Sequence, residues 1–172
     1  MAYSGRKWFF LEPRAEDIYL DDIAHALSHI PRFNGHTEWV WSVAQHSIMC
    51  YLMALITIPE YAARLGWSLH YQSKVVRSTL LHDVPEGYLG DMTRPLRKCL
   101  PEYDALYFLN EFVIFKHCGV VYDDAVAEID DRNLVTEAQM LLNQALPEED
   151  KWWTDKKRYP FVSYAQDPEI RP

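Results

Sequence analysis

The sequence predicts an all-α fold, a compact helical bundle. Two observations carry that prediction: apolar residues recur at helical spacing through most of the chain, and sustained apolar/polar alternation of the kind a strand needs is scarce. A third is the punctuation, since Pro31, Gly66, Pro101 and Gly119 fall where the periodic segments stop and start.

Taken in order, Asp21 or Asp22 is expected to cap a short helix through Ile30, with Ile23, Ala26, Leu27 and Ile30 on one side and Pro31 as its stop. Thr37-Glu38 is expected to open a long amphipathic segment to about Ile58. Its inner face holds Trp39, Val43, His46, Met49, Cys50 and Met53, so His46 points inward. A short helix from Pro59 to Arg64 ends at Gly66. Another, from about Gln72, carries Val75, Val76, Thr79 and Leu80 into His82-Asp83, where Pro85 disturbs or ends it. The segment GYLGDMTRPLRKCLP reads as a connection rich in Gly, Pro and basic residues, the kind of loop that often carries function. Pro101 and Gly119 bracket a helix of Tyr103 to Cys118. Asp123 or Asp124 opens the last long helix, expected to end near Leu146 before Pro147. The tail 147–172, with the pair Trp152-Trp153, is expected to be irregular and to lie over the bundle or on a partner subunit.

Composition narrows the function classes. At 172 residues, 49% of them apolar, the chain suits a single domain, 1–172, with a core at about 18–146. A formal charge of -8 disfavours binding to a nucleic-acid polymer, which depends on many phosphates meeting Lys and Arg. The longest apolar stretch, Ile48 to Ile58, falls short of the ~20 residues needed to cross a bilayer and reads as core, so no membrane partner is expected. The N-terminal apolar run, Trp8 to Leu11, is too short for a secretory signal. Cys50, Cys99 and Cys118 are an odd, widely spaced set without CxxC spacing, which argues for reduced thiols in a cytoplasmic setting, the host cytosol if the chain is phage-encoded.

The chemistry concentrates in four places: His46 in AQHS, His82-Asp83 in LLHDVPE, Asp91 in GDMTRP, and Asp130 in AEIDDRNLVTEA. Asp130 is the informative one. Advancing ~100° per residue, Val126, Leu134, Ala138, Leu141, Leu142 and Ala145 span one apolar sector, and Asp130 falls inside it while Asp131 lies nearer the edge. An ionised carboxylate there costs several kcal/mol unless a cation or hydrogen bonds offset it. Imidazoles and carboxylates converging from separate segments make a divalent metal the economical solution, and two His with two Asp suit zinc, cobalt, manganese or iron better than calcium.

On these residues the chain resembles the HD-domain phosphohydrolases, whose signature is a His, a distant His-Asp pair and a later Asp on helices around one metal. The resemblance runs from about Ile18 to Leu146 and rests on DIAHALSHIPRFNGH, SVAQHS, LLHDVPEGYLGDMTRPLRK and the Asp130 helix with Thr136-Glu137 further on. It is closest to the small nucleotide-hydrolysing branch that includes bacterial 5′-deoxynucleotidases and phage dATP triphosphohydrolases. The resemblance implies that His46, His82, Asp83 and Asp130 hold the metal, that Glu86 is a catalytic acid/base, and that Asp91 orients the attacking water or the leaving group. It also implies that Arg32 holds phosphate, while Phe33 replaces a Trp used for sugar selection in some relatives. His36 is a substrate-contacting candidate, and Arg94, Arg97 and Lys98 are candidates for further phosphates, since guanidinium forks suit phosphate oxygens. Arg6 and Lys7 could also reach the pocket. His25, His29, His70 and His117 read as structural.

The expected activity is therefore metal-dependent hydrolysis of a deoxynucleotide 5′ phosphate ester. A dNTP triphosphohydrolase, dATP-like by resemblance, is favoured slightly because Arg94, Arg97 and Lys98 exceed the needs of one phosphate. Mg²⁺ could accompany the phosphates. The runner-up is a 5′-deoxynucleotidase releasing orthophosphate. A metal-stabilised binding module without turnover and a cyclic-nucleotide or alarmone phosphodiesterase are the competing classes. Relatives of this kind form homo-oligomers, so a homo-oligomer is expected here.

Overall fold

A computed structural model of the chain describes residues 1–143, 145 and 151. The described residues form α1 (Leu20–His29), α2 (Val43–Leu65), α3 (Leu69–Leu81), the single-turn α4 (Glu86–Leu89) and α5 (Arg94–Arg97), α6 (Pro101–Cys118) and α7 (Asp124–Leu141). Among them no strand is present, and the all-α reading holds. The expected tail 147–172, with Trp152 and Trp153, lies outside the described residues apart from Lys151.

Several boundaries differ from the sequence expectation for identifiable reasons. Asp22 does not cap α1, whose N-cap is Tyr19. Instead its carboxylate accepts from the Ser4 backbone N–H and hydroxyl, both at 2.7 Å, tying the N-terminal segment to the bundle. Thr37 opens no helix, because its hydroxyl donates to the Trp39 carbonyl at 2.7 Å. The true start of α2 is Ser42, which forms a capping box with Gln45. Pro59 does not split the segment, and α2 continues through it to Leu65. Proline deletes one helical hydrogen bond, but Ile58 and Ala62 keep the same side buried across it. Ser68, accepting from the Tyr71 N–H, starts α3 earlier than Gln72. The α7 helix ends at Leu141, short of Leu146. Pro101, Gly119 and Asp123 behave as expected, as first-turn proline, left-handed stop and N-cap.

The Asn34-Gly35 pair is a turn signal that the helical reading passes over. Phe33 and Asn34 adopt left-handed φ of 54° and 52°, and Gly35 follows at 76°. The Pro31–Ser42 bridge closes this loop, with Arg32 N–H donating to Trp41 O at 2.7 Å and Val43 N–H to Ile30 O at 3.0 Å. Non-glycine residues in this region carry backbone strain, and here it sits beside Arg32.

Two apolar clusters form the core. One joins α2, α3 and α7 through Met49, Met53, Ile58, Val75, Ile129 and Leu141. The other joins α1, α6 and the start of α2 through Ile23, Leu27, Val43, Ile114 and Phe115, with Trp8 from the N-terminal segment. By length and composition α2 could cross a membrane, unlike the shorter run read from the sequence, yet it packs on α1, α3 and α7. Its His46 is fully buried.

The contact of α1 with α4 fixes the segment after the His-Asp pair. Gly87 backs onto Ile23 so closely that a methyl group there would meet Ile23 atoms between 3.0 and 3.3 Å away. Gly87→Ala is therefore expected to push α4 off α1 and cost roughly 1–3 kcal/mol. Thermal melting measures the loss, and an unchanged melting temperature would show that α1 yields freely.

Candidate functional site

His46 comes from the second turn of α2, His82 from the C-cap of α3, Asp83 from the turn that follows, and Asp130 from the middle of α7. Each imidazole is oriented by an acceptor on its Nδ1 side. Nδ1 of His46 lies 2.8 Å from Glu137 Oε1 and that of His82 2.9 Å from the Thr79 carbonyl. Both partners only accept, so both Nδ1 atoms carry the hydrogen and both Nε2 atoms face the interior.

Those two Nε2 atoms are 3.2 Å apart. Asp130 Oδ1 lies 3.1 Å from the one on His46 and 3.7 Å from the one on His82. Asp83 Oδ2 lies 3.5 and 3.3 Å from the same two atoms. This oxygen is buried and has no hydrogen-bond partner among the described residues. Cys50, one helical turn after His46, brings its Sγ to 3.5 Å from His46 Nε2 and accepts from the Asn133 amide at 3.2 Å. His46, Cys50, His82 and Asp130 offer donor atoms within 4.8 Å of one another and could hold a metal ion. Donors pointing at one another, together with the orphaned Asp83 oxygen, are the arrangement a cation would satisfy.

Electrostatics around the cluster follow from burial and from the surplus of carboxyl groups. Burial opposes protonation of His82, but Asp83 and Asp130 outweigh it and push the imidazole up to about 10. Glu137 is buried, which disfavours its ionised form, yet His46 and Arg32 hold it below its ordinary 4.5. Glu86 goes the other way: burial first, then repulsion from Asp83 and Asp91, raises it well above 4.5. Burial also raises Asp91, where Arg32 opposes the shift.

The remaining sequence candidates divide. Arg32 is buried, with its guanidinium 3.3 Å from Glu137, 3.8 Å from Asp83 and 3.9 Å from Asp91. Together with Phe33, Glu86 and Asp91 it lines a cleft of about 750 Å³ that also reaches His82, Asp83 and Asp130. Arg94 and Arg97 line the same cleft, but Arg94 pairs with Asp130 and Asp131 and Arg97 with Asp104. His36 and Lys98 are exposed and do not line the cleft: His36 closes the Arg32–Gly35 turn and Lys98 follows α5. Arg6 and Lys7 do not line it either, and Arg6 lies over the Tyr19 ring, 3.8 Å from its centroid.

Sequence reasoning gave no role to Glu137, Trp41 or Cys50 in the site. Glu137 gathers the His46 ring, the Trp41 Nε1–H at 2.9 Å and Arg32. Its signal was present, since it lies two helical turns after Asp130 and thus on the same face of α7. The i, i+4 spacing of Cys50 from His46 was equally legible. Nothing local in the sequence marks Trp41.

No protein-family model matches the chain. It is similar to the uncharacterised protein YfdR of Escherichia coli (strain K12), 33% identical over 119 residues that cover 69% of this chain and 57% of that protein. It is also similar to the uncharacterised protein RCAP_rcc00048 of Rhodobacter capsulatus, 36% identical over 99 residues, 56% of this chain and 45% of that one. The chain thus spans about half the length of the curated relatives it matches, and neither relative's name states an activity.

Proposed function

We propose that the chain is a metal-dependent phosphohydrolase that cleaves the 5′ phosphate ester of a small nucleotide. The observation that supports this most is the facing pair of imidazole Nε2 atoms, 3.2 Å apart, with Asp130 and Asp83 oxygens beside them. The sequence resemblance supplies the reaction class. His46, His82 and Asp130, with Asp83 or Cys50, would hold the ion, which when bound supplies Lewis acidity at the phosphoryl group. Zinc, cobalt, manganese or iron suits this donor set.

The protein groups divide the remaining work. Glu86, which burial and the neighbouring Asp83 and Asp91 bias toward its protonated form, would be the general acid: as water attacks phosphorus and the P–O5′ bond breaks, it gives its proton to the departing oxygen, and the water's proton passes to Asp91. Asp91 keeps more carboxylate character beside Arg32 and orients the attacking water. Arg32, shared among carboxylates rather than spent on one, meets the charge that develops on phosphate.

The geometry supports a single phosphate at the cluster best, because Arg94 and Arg97 already pair with carboxylates. This favours a 5′-deoxynucleotidase. The triphosphate reading rests on Arg94 and Arg97 both lining the cleft, where extra phosphates could draw them from those partners. Incubating metal-loaded protein with matched dATP and dAMP and identifying the products tests both. Deoxyadenosine with orthophosphate from dAMP is the expected outcome, triphosphate from dATP would support the second reading, and hydrolysis of neither would remove the proposal.

The donor set has its own test. In cobalt-loaded protein, a thiolate ligand gives a near-ultraviolet charge-transfer band that carboxylates and imidazoles do not. We expect Asp83 to be the fourth donor, because its inner oxygen accepts no hydrogen bond among the described residues whereas Cys50 already accepts from Asn133. The band is then absent from the wild type and from Cys50→Ser alike. A strong band lost in that variant would put Cys50 in its place.

A further inference from the structure

The cleft extends well beyond the metal-ligating cluster, between one face of α6 and one face of α7. From α6 it takes Tyr107, Glu111 and Phe115, at i, i+4 and i+8, and from α7 Val126 and Asp130, with Tyr122 from the loop between the helices. Phe115 and Tyr122 form a tilted aromatic pair with ring centroids 5.2 Å apart. A ring carried by a substrate whose phosphate sits at the cluster has apolar and aromatic surface to lie against here.

One carboxylate of this distal wall has acceptor capacity to spare. Asp83, Glu86, Asp91 and Asp130 belong to the cluster. Asp123 is committed, with one oxygen capping α7 through the Ala125 N–H and the other accepting from Tyr71 at 2.8 Å. Glu111 is half-buried, and the hydrogen bond it makes is from the Tyr122 hydroxyl to Oε2 at 3.3 Å. A carboxylate facing an apolar-walled cleft discriminates in favour of a ligand that brings an N–H donor and against one that cannot, since it loses water on binding either.

We infer that Glu111 is the base-reading residue, accepting from an N–H donor on the edge of a nucleobase that lies against Phe115 and Tyr122. The substrate class is thereby narrowed to phosphate esters whose aromatic ring carries such a donor. This rests on the nucleotide-hydrolase reading above.

The test compares kcat/KM of the metal-loaded full chain for dAMP and for purine 2′-deoxyriboside 5′-monophosphate, which lacks the exocyclic amine and has no ring N–H. Wild type is expected to prefer dAMP by at least roughly tenfold, the worth of one hydrogen bond to a charged group. Glu111→Leu should bring the ratio close to one by lowering kcat/KM for dAMP and leaving that for the analogue unchanged, with most of the change in KM. Tyr122→Phe, which leaves the carboxylate in place, should keep the preference, so a folding defect is separable from a lost acceptor. Equal rates in wild type, or a preference that survives Glu111→Leu, overturns the inference alone. Hydrolysis of neither compound overturns the inference as stated for monophosphates, and the parent reading falls with it when dATP is left intact as well.

Discussion

Glu137→Ala is expected to destabilise the protein by about 3–5 kcal/mol, the usual cost of removing one partner from a buried ion pair. Glu137 is 2% exposed and serves three donors at once: Trp41 Nε1–H, His46 Nδ1–H and the Arg32 guanidinium. Its removal strands all three and leaves Arg32 facing only Asp83 and Asp91 at the longer distances of 3.8 and 3.9 Å. In a domain of this size that loss lowers the melting temperature by roughly 10 °C. Glu137→Gln separates folding from metal binding, because an amide oxygen can still accept from His46 while the charge is gone. We expect it to fold and to bind metal about 10–100-fold more weakly, as other groups that orient a ligating histidine do. Calorimetry with and without metal measures both, and wild-type affinity in Glu137→Gln would show that the carboxylate does not orient His46.

Glu86→Gln should have the opposite balance, with hydrolysis falling about 10²–10⁴-fold and stability unharmed. Burial and the neighbouring Asp83 and Asp91 make an ionised Glu86 unfavourable. Its folded value is raised, so its contribution to stability is complete below the ordinary 4.5 and is lost as pH rises through the raised value. An amide suffers no such loss. The metal-free variant should therefore melt progressively higher than the metal-free wild type as pH rises above 4.5, and a difference that stays flat with pH would show that Glu86 ionises normally. Metal content should be unchanged, since Glu86 is outside the group of donors that converge on the site.

Much of this site was readable before any coordinates. Asp130 inside an apolar sector of α7 is an energetic anomaly visible in the helix periodicity, and it lies 3.1 Å from the His46 ring. The capping of α7 by Asp123 and the stop at Gly119 follow from local backbone chemistry, which a sequence states directly. What escaped was non-local. Thr37 was a sound N-cap candidate by residue type, but the bridge from Pro31 to Ser42 holds the intervening chain in a loop and moves the helix start to Ser42. Pro59 was a reasonable breaker, overridden by burial on both sides of it. The pairing of Arg94 and Arg97 with acids on α7 and α6 could not be seen from a basic loop sequence, and it commits those cations to carboxylates. Glu137 shows the converse, since periodicity placed it beside Asp130 and only the three donors around it reveal why it is there.

The central claim is that one transition-metal ion binds where the two imidazoles and the carboxylates converge. Its most direct test is the number of ions retained per chain after loading and exhaustive dialysis, in wild type and in the double variant His46→Ala/His82→Ala. We predict one ion in wild type and none in the folded double variant. Retention of the ion by that variant, or its absence from wild type, would contradict the account.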